Sequence, residues 1–292
     1  MAPLCKAINA EYANKFEGQD PRTVYSGQVD PEWTVISVGP FEVHIRDIKT
    51  GKGFKNIAAT LVQNGEEKVL THMIFGRLTL PEGGRQDDFN LIVEPPSPYA
   101  SRIPFHTHPS NCKIARTVSR YGFRNYIQSA RDPVYLPNAK IPRKGGGIEW
   151  AEYVTLKDAE DRLTAPSMAF FADTFLSLPV ILPDLKSLDF WLPTMVMTIE
   201  FKFPIPKPSN PHCSQRTVAI FSRGQFVNSP SSRHDIYLEI WTAPNDTTEE
   251  TDDWKEHQRC LAVATQMAVV VPADVNRKKG KSGTPALGKA KL

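Results

Sequence analysis

The run from Leu163 to Leu178 is apolar on nearly every side, and Pro179 stops it. A helix of that kind has no face of its own for water and folds only where other elements enclose it. Four strand-like stretches follow it: Thr194 to Phe203, Arg216 to Phe226, Asp235 to Trp241 and Cys260 to Val271. An antiparallel sheet built from them is the available enclosure. The front of the chain reads as the same arrangement in shorter form. Leu4, Ile8, Tyr12 and Phe16 fall at steps of four, one stripe of an amphipathic helix that ends near Gly18. Phe41 to Arg46, Asn56 to Val62 and Val69 to Leu80 read as strands. Gln63-Asn64-Gly65-Glu66 supplies a tight hairpin turn between the last two. One helix on an antiparallel sheet, written twice, predicts an α+β fold with an internal duplication.

The 292 residues are more than one undivided core usually holds. Prolines 95, 96, 98, 104 and 109 mark a connector, since proline offers no N–H to a strand ladder. The expected division is therefore an N-terminal module over 1–94, a connector over 95–118 and a second module over 119–275. In that second module Phe123 to Tyr135 reads as a strand region. The Lys144-Gly145-Gly146-Gly147 turn then leads to a strand over Ile148 to Leu156, and Asn245 to Asp253 reads as an exposed acidic hairpin tip. The tail over 276–292 is basic and expected to be disordered.

Charge excludes one class of function. Six of the basic residues lie beyond Asp274 with no acid among them, so removing them from the net +3 leaves residues 1–276 at −3. A basic face for nucleic acid is not indicated. No apolar stretch is long enough for a membrane helix, and the start lacks a secretory layout, so an intracellular protein is expected. Cys5, Cys112, Cys213 and Cys260 are scattered without a paired spacing, which suits reduced thiols.

Several catalytic patterns are absent. No Gly-x-Ser-x-Gly elbow occurs, and Gly280-Lys281-Ser282 lacks the earlier glycine of a phosphate loop, where Val275 stands. His106-Thr107-His108 has no third ligand nearby and reads as loop rather than as a metal site.

Asp173 stands within Met168-Ala169-Phe170-Phe171-Ala172-Asp173-Thr174-Phe175-Leu176. A carboxylate among such neighbours is costly unless hydrogen-bonded, and burial raises its pKa. It is either a general base poised to activate water or the narrow wet edge of the helix. Thr194 opens the strand-like run ending in Glu200-Phe201, and Gln266 interrupts Leu261 to Val269. A glutamine inside an apolar strand needs a partner for its amide. With Asp173, these two form a plausible water-holding set. Phe170, Phe171, Phe175 and Met195, with Met197, either line an acyl site or serve as ordinary core.

Three segments carry a resemblance: Met168 to Asp173, Trp191-Leu192-Pro193-Thr194 running on to Phe201-Lys202-Phe203-Pro204, and Leu261 to Gln266. They resemble the acyl-CoA thioesterase II group, including fungal thioesterase-like proteins, whose fold is a double hotdog. His106 to Ser110 is similar to the connector of fungal members. The resemblance implies an acid on the second hotdog helix, a hydroxyl opening the next strand and an amide on the last strand. Asp173, Thr194 and Gln266 are their counterparts. It also implies a strand ahead of the first helix, which this chain is expected to lack because Met1 lies almost at that helix.

The activity implied is hydrolysis of a fatty or polyketide acyl-CoA by Asp-activated water, with an N–H near the helix receiving the oxyanion and no cofactor or metal. A homodimer is implied by likeness. Ala290-Lys291-Leu292 reads as a peroxisomal address for an import receptor, or as chance. With a fungal or other eukaryotic source, the activity belongs to primary lipid or to secondary metabolism. The alternatives are a hotdog dehydratase or cyclase using a His and Asp pair, and a non-catalytic acyl-binding protein.

Overall fold

The computed structural model describes residues 8–12, 23–29, 39–78, 93–115, 122–135, 148–176, 181, 190–228, 233–245 and 250–272. Its strands are β1 (Ile8–Tyr12), β2 (Thr23–Val29), β3 (Gly39–Thr50), β4 (Lys55–Gln63), β5 (Glu66–Phe75), β6 (Lys113–Ile114) and β7 (Ile127–Arg131), followed by β8 (Ile148–Leu156), β9 (Phe190–Trp191), β10 (Thr194–Phe201), β11 (Thr217–Asn228), β12 (Arg233–Thr242), β13 (Cys260–Ala268) and β14 (Val271–Pro272). The α-helix among the described residues, α1, spans Ala165–Ala172. None there is long and apolar enough to cross a membrane.

The chain forms two compact units. The first comprises Met1–Tyr99, Arg116–Gln128 and Leu156–Arg162. Its sheet is an antiparallel meander in the order β1-β2-β3-β4-β5. Asn64 (φ 56°) and Gly65 (φ 76°) make the β4–β5 turn, the positive-φ pair that matches the twist of a two-residue hairpin.

One expectation fails here. Ile8–Tyr12 is not helical but an edge strand paired with β2, Ile8 opposite Val29 and Tyr12 opposite Tyr25. A spacing of four fits both periods, since residues four apart share a helix face and also a strand face. The deciding positions are three apart, and Glu11 and Lys15 leave no apolar companion there.

The second unit comprises Ala100–Ala115, Ser129–Thr155 and Leu163–Leu292. Its seven strands run β10-β13-β12-β11-β8-β7-β6. Along β12, residues 234, 236, 238 and 240 are buried while the odd positions between them are half-buried, the signature of one face turned to a core. α1 packs against β12. The strand expected over Phe123 to Tyr135 is confined to β7. Single-turn 3₁₀ segments at Gly122–Tyr126 and Pro133–Tyr135 flank it, because Pro133 cannot continue a ladder.

The connector closes onto this sheet through Asp132, which is fully buried. Asp132 accepts bonds from the backbone N–H groups of His106 (2.7 Å), Thr107 (3.3 Å) and Val134 (3.0 Å) and from the Thr107 hydroxyl (3.1 Å). His106-Thr107-His108 is thus held as loop structure, and no cluster of three or more potential metal ligands occurs among the described residues. Of the acidic Asn245 to Asp253 run, Glu250, Asp252 and Asp253 are exposed, and Trp254 after it is buried. The Lys144 to Gly147 turn and the 276–292 tail lie outside the described residues.

Candidate active site

α1 is fixed at both ends. At its start, the Thr164 side chain accepts from the Ser167 N–H and Ser167 Oγ receives the Thr164 N–H, a reciprocal cap. At its end, the Thr174 hydroxyl donates to the Phe170 carbonyl at 2.7 Å. The helix stops sooner than the apolar run, so Asp173 is not inside it but is the residue that caps it, at φ −110° and ψ 0°. Leaving the helix there turns the carboxylate out of the apolar layer.

Three side chains meet at that point. Thr194 Oγ1 lies 3.2 Å from Asp173 Oδ1 and 3.2 Å from Gln266 Oε1. Gln266 Nε2 donates to the Ala172 carbonyl at 2.7 Å and lies 3.4 Å from Asp173 Oδ1. The amide orientation is dictated by its surroundings, because only nitrogen can face a carbonyl and only oxygen can receive a hydroxyl proton. Both bonds to Asp173 fall on Oδ1, and Oδ2 takes none among the described residues.

The sheet delivers Thr194 to this face through a bulge. Thr194 pairs with Ala268, but Val196 pairs with Met267 and Met197 with Gln266. In a regular strand Thr194 and Met197 would point to opposite faces. The extra residue, Met195, places both on the face that carries Gln266.

Electrostatics suit a base. Burial pushes the Asp173 carboxyl above the ordinary aspartate range, and the Thr194 and Gln266 bonds pull it part of the way back. Asp173 is exposed as a residue, yet its carboxylate bears this burial effect. The two descriptions concern different parts. The open side of the residue faces solvent, while Oδ1 is pressed against the helix end and the strand. Desolvation decides the direction, so this carboxylate holds its proton more tightly than a free aspartate does.

The apolar candidates separate. Phe171 is fully buried and Phe170 is half-buried, with ring centroids 5.4 Å apart. Phe175 packs on the Trp150 and Ile236 cluster. Met195 is 59% exposed beside Thr194, which leaves it the one of the four with most of its surface open. The N–H groups of Asp173 and Thr174, at the helix end where an oxyanion donor was expected, are committed to the Phe170 and Phe171 carbonyls. Cys112 and Cys260 are pushed up to about 12 by burial, so neither is a ready nucleophile. On the first sheet a groove of about 330 Å³ is lined by His44, Arg46, Thr60 and Glu67 among others.

Sequence reasoning missed two contacts of the Gln266 amide: the Ala172 carbonyl, and the Met197 sulfur at 3.3 Å from Nε2, where the sequence offers Met197 only as acyl lining or core. Buried His234 of β12 pairs with Ala268, as Thr194 does, and shares the face that carries Gln266.

A five-stranded antiparallel sheet and a seven-stranded sheet carrying α1 are shared with solved structures. A candidate thioesterase II from Thermobifida fusca YX matches with TM-score 0.61 and 18% identity, over 93% of this chain and 98% of that one. The fold is a double hotdog. The acyl-CoA thioesterase II TesB2 of Mycobacterium marinum shares the double hotdog with TM-score 0.56 and 11% identity, over 86% and 94% of the two chains. A hotdog protein of unknown function from Alicyclobacillus acidocaldarius gives 0.58 and 14%, over 87% and 95%. No family profile and no curated protein matches this double hotdog chain.

Proposed function

We propose that the chain is an acyl-thioester hydrolase acting on acyl-CoA. The observation that carries this reading is the meeting of Asp173, Thr194 and Gln266, with the helix end and two strands each supplying one group. Asp173 Oδ2 binds a water and takes its proton, while Thr194 and Gln266 hold the carboxylate through Oδ1. The hydroxide equivalent attacks the thioester carbonyl, the tetrahedral adduct collapses, and the C–S bond breaks. The carboxylic acid and the CoA thiolate leave, and the proton passes from Asp173 to the thiolate. Neither a covalent enzyme intermediate nor a cofactor is required by these groups. The names of the double hotdog neighbours support acyl thioesters as the substrate class.

Release of free CoA from a panel of acyl-CoAs tests this. Asp173→Asn keeps the shape and an oxygen for Thr194 but cannot take a proton, so turnover falls by roughly 10²–10⁴. Turnover within threefold of the unaltered protein would overturn the assignment. Tight binding without turnover by the unaltered protein indicates an acyl-binding protein instead, and a dehydrated or cyclised product indicates a lyase. A peroxisomal address in Ala290-Lys291-Leu292 belongs to the same proposal, and a fluorescent fusion with and without those three residues tests it.

A further inference from the structure

The Gln266 amide nitrogen has two hydrogens and three acceptors around it. One hydrogen is committed to the Ala172 carbonyl, at 2.7 Å and in the interior. The other is contested by Asp173 Oδ1 at 3.4 Å and Met197 Sδ at 3.3 Å. A thioether is a weak acceptor, but it sits as near as the carboxylate, and a hydrogen shared between two acceptors is given fully to neither. Met197 faces Gln266 as its direct cross-strand partner, placed there by the bulge at Met195.

We propose that Met197 is a positioning residue that draws the second amide hydrogen of Gln266 off Asp173 and so keeps that carboxylate a stronger base. The proposal rests on Asp173 being the base named above. A carboxylate that accepts a further N–H bond is held in its ionised form and gives up its power to take a proton. Gln266 must be present to fix the helix end, yet its amide works against the base. The sulfur relieves that conflict without adding a charge.

The surrounding elements leave this interaction undisturbed by other charges. α1 carries no charged residue, and neither does β13. Glu200 of β10 pairs with Val263, and Asp235 of β12 with Met267, both on the opposite face from Gln266. On the Gln266 face stand His234 of β12 and, three strands away, Glu152 of β8. The influences on Asp173 are burial first, then the Thr194 and Gln266 bonds.

The test is a titration of the Asp173 carboxyl carbon by NMR in the full chain, which needs no turnover. In Met197→Leu, similar in bulk but without the sulfur, the midpoint falls by roughly 0.5 in pH, and the acid limb of kcat/KM moves with it. Met195→Leu, at the neighbouring and more exposed methionine, leaves the midpoint in place. In a Gln266→Met background the Met197→Leu shift disappears, because the amide through which it acts is gone. A Met197→Leu midpoint that stays put or rises, or a shift that persists without Gln266, would overturn the proposal. If the carboxyl titrates as stated but no acyl-CoA is hydrolysed, the hydrolase reading fails and the Met197 arrangement stands.

Discussion

Replacing Gln266 by leucine tests whether one amide joins the helix to the sheet. The side chain is 3% exposed, and Ala172, whose carbonyl it serves, is fully buried. That carbonyl belongs to the last turn of α1, where no backbone N–H of the helix remains to pair with it. Leucine leaves it unsatisfied, at about 1–3 kcal/mol. One effect opposes this. Thr194 keeps Asp173 as acceptor, so it loses nothing, and the buried amide no longer has to be desolvated, which returns about 1 kcal/mol. The net loss centres on about 1 kcal/mol, a fall in Tm of roughly 2–4 °C for a chain of this size. Thermal unfolding followed by circular dichroism measures it. Release of CoA should fall as well, by roughly 10- to 100-fold, because the helix end that places Asp173 is no longer fastened to the sheet. An equally stable or more stable Gln266→Leu protein would refute the view that the amide fastens the helix end.

Two further outcomes follow from the same geometry. Asp132→Ala strands four donors in and beside the connector and should cost about 3–5 kcal/mol, read as a lowered denaturation midpoint in urea. For pH, Asp173 has a folded-state pKa raised by burial, so the folded chain binds its proton more tightly than the unfolded chain. Its contribution to stability is therefore fully present below the unfolded value of about 3.9 and is lost as pH rises through the folded value. In Asp173→Asn that decline is absent from the stability profile, while the acid limb of kcat/KM in the unaltered chain lies above the range of a free aspartate.

Much of the candidate site was legible because its residue types clash with their neighbours. An aspartate after Phe170-Phe171-Ala172 and a glutamine amid Leu261 to Val269 announce a need for polar partners. What they pair with was harder to read. The partner of Gln266 Nε2 is a main-chain carbonyl, and every residue has one, so composition carries no mark of it. The bulge that turns Thr194 and Met197 to one face is a register irregularity, invisible to a pattern that assumes strict alternation. The front of the chain misled for a related reason. Ile8 and Tyr12 satisfy helix and strand alike, and pairing with β2, a tertiary choice, selected the strand. The β4–β5 turn was readable outright, since Asn64-Gly65 tolerates the positive φ it must adopt.

The strand order bears on how the protein is made. β13, last of the seven to leave the ribosome, slots between β10 and β12. Until it arrives, β10 has no neighbour in the sheet and β12 presents an unpaired edge. A nascent or clipped chain halted before Cys260 therefore carries the acid and the hydroxyl but not the amide, together with a sticky margin that invites self-association. For the hydrolase proposed above, turnover would then require the completed insertion and report finished assembly rather than partial order.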